Sequence, residues 1–152
     1  MEPDVRLKRV LLVGSSTDAT QHLRRTGQAI ADIEAAQEFI AARRLLLQHP
    51  PDLLATNLRL GAYNGLHLVY LAQTTAPRSR SLVFSSYLDL PLVEEAQAIG
   101  AFFEPEHRLQ YALPSYLATE LPSRDRRSPL GVDRRKAFRG GRRSADVALA
   151  TT

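Results

Sequence analysis

Short runs of β-prone apolar residues recur along most of the chain, and each is followed by a stretch with helical spacing. The clearest runs cover residues 10–13, 53–56, 81–84 and 101–103, and a weaker alternating stretch covers residues 29–34. Continuous apolar runs of this length are typical of parallel strands that are buried on both faces. The alternation, in units of roughly 22 residues, therefore predicts an α/β fold with one parallel sheet.

The helical stretches are placed to cover both faces of that sheet. Ser16 or Thr17 can cap the first helix, and residues 61–65 are predicted to form a loop before the third. The second helix ends before Pro50, and its apolar residues have helical spacing: Ala36, Phe39, Ile40, Leu46 and Leu47. Pro91 opens the fourth helix. These elements predict a flavodoxin-like doubly wound sheet of five parallel strands in the order 2-1-3-4-5, with helices on both faces.

The positive charge is concentrated at the C-terminal end. Residues 1–123 carry 11 Lys+Arg against 13 Asp+Glu, a balance of −2, and residues 124–152 carry 9 against 3, a balance of +6. The basic segment has few large apolar residues, so it cannot bury enough surface to order itself. The sequence therefore predicts a folded domain over residues 1–122 and a disordered, Arg-rich C-terminal tail over residues 123–152.

Six basic side chains of this tail form a candidate polyanion-binding cluster: Arg134, Arg135, Lys136, Arg139, Arg142 and Arg143. Arginine makes forked contacts with phosphates and carboxylates. The cluster predicts weak, salt-dependent contact with nucleic acid or with an acidic protein. A helix-turn-helix is excluded, because the tail has no apolar pattern on which one could fold.

Composition excludes several classes of site. The chain has no cysteine, which excludes a disulfide scaffold, a Cys-based zinc site and a thiol nucleophile. The four histidines have no i, i+4 pairing, so no metal site is expected. No apolar run approaches the roughly 18 residues that a membrane span needs. We therefore expect a cytoplasmic protein with no membrane contact and no cofactor.

Several strings, in this order and at these separations, carry a resemblance to a known family. Residues 49–60, followed by 64–66, look like a third strand, a phosphoacceptor loop and the start of a third helix. Residues 82–87 look like a fourth strand with a switch hydroxyl, and residues 95–101 like the end of a fourth helix. Over about residues 6–120 the chain resembles the receiver domain of two-component response regulators. The resemblance implies the same flavodoxin-like fold and a role in phosphorelay signalling.

The resemblance places the polar groups of a receiver on five positions: Gly14, Ser15, Asn57, Ser85 and Glu104. In the family these positions hold an acidic pair that binds Mg²⁺, a phosphoaccepting aspartate, a hydroxyl and a lysine. Here only Ser85 keeps the residue type. An amide cannot attack phosphorus, glycine and serine are poor ligands for Mg²⁺, and Glu104 would repel a phosphoryl dianion. The resemblance thus implies a degenerate phosphoacceptor pocket with no catalytic residue.

These substitutions predict a non-enzymatic pseudo-receiver that binds a protein partner in a signalling pathway, as a monomer or a weak homodimer. The resemblance implies a docking face made by the fourth helix, the fifth strand and the fifth helix: Leu92, Glu95, Phe102, Phe103, Leu109 and Tyr116. The charge of the tail leaves open an alternative function, a regulator associated with nucleic acid or another polyanion. The two hypotheses differ in how strongly binding should depend on salt.

Overall fold

The longer strands pair into one parallel sheet. The structure, a computed structural model, describes residues 7–27, 31–118 and 120–122. Two short strands, β4 (Arg59–Leu60) and β5 (Tyr63–Asn64), form an antiparallel ribbon beside the sheet. The sheet itself contains five strands: β1 (Lys8–Val13), β2 (Ala31–Ala36), β3 (Leu53–Asn57), β6 (Arg80–Ser85) and β7 (Phe102–Pro105). Their order is β2-β1-β3-β6-β7, which confirms the order predicted for the five strands.

Helices cover both faces of the sheet: α1 (Thr17–Gly27), α2 (Phe39–Gln48), α3 (Leu66–Thr75), α4 (Leu90–Ala98) and α5 (Leu109–Ala118). Buried residues of α2, α3 and α4 form one apolar cluster with Leu54 and Val83 of the sheet. Buried residues of α1 and α5 form a second cluster with Ala55 and Phe84. Consecutive strand residues therefore enter opposite clusters, as a strand buried on both faces requires.

The three helices on one face form a layer with α3 in its middle. In this helix layer, defined as α2, α3 and α4, α2 packs on β1 and β2, α3 packs on β3 and β6, and α4 packs on β7. The side-chain amide of Gln73 on α3 donates a hydrogen bond to the carbonyl of Ile99, directly after α4. Each of these helices lies in the connection between two successive parallel strands of the sheet, so all three run in the same direction.

Local signals explain where the helices begin. The Ser16 Oγ accepts a hydrogen bond from the Ala19 N–H at 3.2 Å, which confirms Ser16 as the cap of α1. Helix α4 begins at Leu90, one residue before the predicted opening at Pro91. Its cap is Asp89, whose Oδ1 accepts from the Leu92 N–H at 3.3 Å. A capping carboxylate also favours the positive end of the helix dipole.

Three local predictions are wrong. Ala36, predicted to belong to the second helix, is the last residue of β2, and α2 begins at Phe39. The predicted apolar face of the second helix includes Ile40 and Leu47, but these side chains are 65% and 42% exposed, and α2 buries Ala42 and Leu46 instead. Arginines at positions 43 and 44 must stay in water, so the stripe that contains them faces outward. Part of the predicted loop over 61–65 is the strand β5, which pairs with β4 across a turn at Gly61 with φ of 62°.

Some predictions fall outside the described residues. These are the start of the second strand at 29–30, the Arg-rich tail over 123–152 and its basic cluster, Arg134, Arg135, Lys136, Arg139, Arg142 and Arg143. Within the part of the chain that the structure describes, no helix is both long enough and apolar enough to cross a bilayer.

Candidate functional site

The carboxyl ends of the central strands bring Gly14 and Asn57 into direct contact. The Asn57 side chain uses both of its polar ends here. Its Nδ2 donates to the Gly14 carbonyl at 3.2 Å, and its Oδ1 accepts from the Arg59 N–H at 3.0 Å. The amide therefore ties the end of β1 to the loop that follows β3. A carboxylate could keep only the second bond, because it has no donor for the Gly14 carbonyl.

Gly14 leaves no room for a side chain. Its φ of 75° lies in the left-handed region, which L side chains rarely adopt. A Cβ at this position would lie 2.8 Å from the Asn57 Cβ and 2.8 Å from the Leu60 Cδ2. The buried Leu60 side chain thus occupies the space beside Gly14. An acidic residue at position 14, as the family resemblance would require, does not fit this backbone and its neighbours.

The loop between β3 and α3 is fixed by its own hydrogen bonds. The Gly65 N–H donates to the Leu58 carbonyl at 2.8 Å, and the Asn64 Oδ1 accepts from the Leu66 N–H at 2.9 Å. A Cβ on Gly65 would lie 2.3 Å from the Asn57 carbonyl oxygen, so only glycine allows this close approach. Asn64 therefore forms the turn that leads into α3.

The two serines at the strand ends are buried and serve the local backbone. The Ser85 Oγ accepts a hydrogen bond from the Tyr87 N–H at 3.1 Å. The Ser15 Oγ lies 3.5 Å from the Ser16 carbonyl oxygen, to which it donates a long hydrogen bond. Both contacts are turn contacts.

The Glu104 carboxylate at the end of the sheet contacts helix α5. This carboxylate, on a residue that is 6% exposed, accepts a hydrogen bond from the Tyr116 Oη at 2.7 Å. The Tyr116 ring also packs edge-on against Phe102, with 5.4 Å between ring centroids. Glu104 and Tyr116 were assigned by sequence to two different sites, but the structure joins them in one contact between β7 and α5. Sequence spacing alone gives no signal for this pair.

Removing the Tyr116 hydroxyl tests this contact. We expect Tyr116→Phe to lower the free energy of unfolding by about 1–2 kcal/mol, because a buried carboxylate loses a donor. Urea denaturation at neutral pH measures the change. Tyr111→Phe removes the same atom from a side chain that is 72% exposed and should change stability by less than about 0.5 kcal/mol. Equal effects of the two variants would contradict a structural role for the bond.

The loop after β6 is held by Arg59, a residue that the sequence analysis did not single out. The Arg59 guanidinium lies 3.9 Å from the Asp89 carboxylate and 5.5 Å from the centre of the Tyr87 ring. Asp89 also caps α4. These contacts connect the loop after β3 to the start of α4. An exposed ion pair and a cation–π contact each contribute modestly.

The residues of this pocket do not fit a divalent cation. Mg²⁺ prefers hard, anionic oxygen ligands. At the ends of β1 and β3 the structure presents a glycine, the Asn57 amide and the Leu60 side chain. Across residues 7–27, 31–118 and 120–122, no group of three His, Cys, Asp or Glu side chains is arranged to hold a metal ion.

Solved structures with the same architecture decide the fold. A receiver domain from Methanospirillum hungatei aligns with a TM-score of 0.64 at 19% identity, covering 74% of this chain and 95% of that one. CheY4, a chemotaxis response regulator of Vibrio cholerae, aligns with a TM-score of 0.60 at 18% identity, covering 72% and 98%. This chain has the receiver fold.

A third solved structure with this fold comes from Burkholderia pseudomallei. A response regulator from this organism, solved with a phosphorylated aspartic acid, calcium ion and citrate, aligns with a TM-score of 0.65 at 20% identity. The alignment covers 72% of this receiver-fold chain and 66% of that one. Likeness at this level of identity shows the fold alone.

Sequence comparison points in the same direction. The chain is 31% identical over 96 residues to the response regulator protein PilR of Pseudomonas aeruginosa. The match covers 62% of this chain and 22% of PilR, so the receiver-fold chain spans less than a quarter of the length of that relative. No family model matches the chain.

The structure buries half of the residues that were expected to form the docking face. Phe102, Phe103 and Leu109 are buried, and the two phenylalanines lie in the apolar clusters on opposite faces of the sheet. Leu92 packs against one of those clusters, and Tyr116 is engaged by Glu104. Glu95 remains exposed. Most of the six expected contact residues therefore support this face from beneath.

Proposed function

We propose that the chain is a receiver-like module of a two-component or phosphorelay-type pathway that acts by binding a protein, without phosphorylation at position 57. The observation that carries the proposal is the Asn57 amide, whose donor and acceptor are both engaged inside the pocket. The amide has no anionic oxygen to attack a phosphoryl group. The Asn57 side chain instead links the end of β1 to the residues that follow β3.

Three further features of the pocket support the same function. Gly14 is crowded by Asn57 and Leu60, so an acidic ligand for Mg²⁺ cannot stand there. The Ser85 Oγ accepts a hydrogen bond from the Tyr87 N–H. Glu104, a carboxylate where the resemblance places the lysine of a receiver, accepts a hydrogen bond from the Tyr116 hydroxyl of α5. A module of this kind needs neither a catalytic residue nor a cofactor, and we place it in the cytoplasm with its pathway.

The proposed docking surface lies on α4, β7 and α5, but with different residues in contact. Glu95 and Tyr111 are exposed there, and Tyr111 and Arg108 line a cleft of about 380 Å³. Exposed tyrosine combines apolar area with a polar tip and is enriched at protein interfaces. We propose that the partner protein contacts Tyr111 and this cleft.

Labelling with a small phosphodonor tests the proposed function. We expect no adduct when the full chain is incubated with acetyl phosphate and Mg²⁺, as measured by intact-mass spectrometry. A receiver domain with an aspartate acceptor, treated in parallel, controls for donor activity. An acid-labile mass gain of one phosphoryl group on this chain would contradict the proposal.

One observation favours the second candidate function, a regulator that contacts a polyanion. The Leu121 carbonyl accepts a hydrogen bond from the Arg80 Nε at 3.3 Å. Leu121, which precedes the basic segment in the sequence, therefore lies at a cleft. Three basic and two acidic side chains line this cleft: Lys8, Arg78, Arg80, Asp52 and Glu120. Tail and cleft would together present cations to a nucleic acid or an acidic protein.

Deleting residues 124–152 separates the two functions. If the tail provides polyanion contact, its removal abolishes salt-dependent binding to DNA, since about six phosphate contacts give a steep dependence on ionic strength. We expect the melting temperature to stay within about 5 °C, because the deleted segment contributes little apolar burial. Fluorescence anisotropy at several salt concentrations and a thermal melt measure both. Loss of cooperative unfolding would show that the tail is part of the folded domain.

A further inference from the structure

The outer surface of the helix layer carries opposite charges on its two flanking helices. The outward stripe of α2 combines two arginines with apolar side chains: Ile40, Arg43, Arg44 and Leu47. The outward stripe of α4 includes Glu94 and Glu95, which are also exposed. Among the described residues, none of these four charged side chains forms an ion pair. Between the two stripes lies α3, whose Tyr70 is 45% exposed.

The charged groups lie at similar depths in the layer. Arg43, Tyr70 and Glu94 are each the fifth residue of their helix. All three helices begin at the carboxyl edge of the sheet and run in the same direction. Because an α-helix rises about 1.5 Å per residue, equal positions lie at comparable distances from that edge. A basic group, an aromatic ring and an acidic group therefore form a row across the layer.

We propose that a second copy of this chain docks on the helix layer, forming a two-fold symmetric dimer whose axis runs parallel to α3. Rotation about this axis places each α2 opposite the α4 of the other copy and sets α3 against α3. Arg43 and Arg44 of one copy then face Glu94 and Glu95 of the other, twice in the dimer. Tyr70 of each copy lies near the axis. Such an isologous interface is closed, and it sets the arginines of α2 and the glutamates of α4 opposite side chains of the opposite charge.

The charge pattern selects this axis over the other face-to-face arrangement. An axis perpendicular to α3 in the plane of the interface would place α2 against α2 and α4 against α4. Arg43 would then face arginines, and Glu94 would face glutamates, which is destabilising. The apolar members of the row, Ile40, Leu47 and Tyr70, supply area to bury in the favourable arrangement.

The size of the layer predicts a weak dimer. Three helices about 10 Å apart and about 15 Å long offer a footprint of about 450 Å² per copy, or about 900 Å² in total. Interfaces at this low end of the range are typical of transient complexes. The dimer uses no residue of the Asn57 pocket, so it does not depend on the absence of phosphorylation at position 57. It shares Glu95 with the docking surface proposed above.

Charge reversal on each helix tests the dimer by sedimentation velocity of the full chain over about 5–500 µM, a range suited to a weak interface. The first double variant carries Arg43→Glu and Arg44→Glu, and the second carries Glu94→Arg and Glu95→Arg. We expect each double variant, measured alone, to self-associate at least about tenfold more weakly than the parent chain. An equimolar mixture of the two variants should recover a dimer, because every helix contact then joins opposite charges. A matched control, Arg25→Glu with Arg78→Glu, reverses two exposed arginines away from the layer and should dimerise like the parent chain.

Several results would overturn the proposal. These are a parent chain that stays monomeric across the range, reversed variants that dimerise unchanged, or a mixture that stays monomeric while thermal melts show both variants folded. Species larger than a dimer that grow with concentration would contradict a closed two-fold interface.

Discussion

Asn57→Asp is expected to lower the free energy of unfolding at pH 7 by about 1–3 kcal/mol and to leave the chain without phosphoacceptor activity. The substitution replaces the Nδ2 donor with a carboxylate oxygen, so the Gly14 carbonyl loses its donor and faces a negative charge. Restoring the residue type of a receiver would therefore damage this domain. Urea denaturation measures the stability, and labelling with acetyl phosphate measures the activity.

Asn64→Asp provides a matched control in the same loop. The Asn64 side chain accepts a hydrogen bond through Oδ1 from the Leu66 N–H, and a carboxylate can accept equally well at the start of a helix. We expect this variant to change stability by less than about 0.5 kcal/mol. The gap between the two variants should narrow as the pH falls toward about 4, where the carboxyl introduced at position 57 gains a proton and can donate again. Equal losses in both variants at pH 7 would mean that the donor to Gly14 has no special importance.

Gly14→Ala is expected to lower the free energy of unfolding by about 2–5 kcal/mol, through two separable effects. The left-handed φ of 75° strains any L residue by about 1–2 kcal/mol, and the added Cβ must displace Asn57 and Leu60 for about 1–3 kcal/mol more. Gly14→Asp, which restores the acidic residue of a receiver, should be at least as destabilising. Equilibrium unfolding in urea measures all of these variants.

Gly61→Ala isolates the backbone strain. Gly61 has a similar φ of 62°, but a Cβ added there would meet no atom within 4 Å. We therefore expect a loss of only about 1–2 kcal/mol at this position. The excess cost at Gly14 is the crowding by Asn57 and Leu60. If Gly14→Ala and Gly61→Ala had the same effect, position 14 would have room for a side chain, and the pocket would be open to an acidic ligand.

The sheet could be predicted because its strands leave a strong local signal. Continuous runs such as 53–56 and 81–84 can only be buried on both faces, and the helices between them fix the order of the strands. The face of α2 could not be predicted in the same way, because apolar residues surround most of that short helix. Its orientation follows from Arg43 and Arg44, which need water on their side.

The pocket was predictable in position and only partly in chemistry. The strings around Asn57 place it at the end of the third strand, and the structure finds it against Gly14. The covering of Gly14 by Leu60 depends on a close approach between distant segments, which no spacing rule reveals. The same holds for the Glu104 to Tyr116 contact, because a position at a strand end does not determine which helix the side chain meets.

The central claim is that this pocket neither holds Mg²⁺ nor receives a phosphoryl group, and a titration of the full chain with Mg²⁺ and beryllofluoride tests it most directly. Amide resonances of Gly14, Asn57 and Ser85, followed by NMR, would report binding at the ends of β1, β3 and β6. We predict that they do not shift beyond the changes caused by salt alone. Saturable shifts at these three residues, reaching a plateau with added beryllofluoride, would contradict the account.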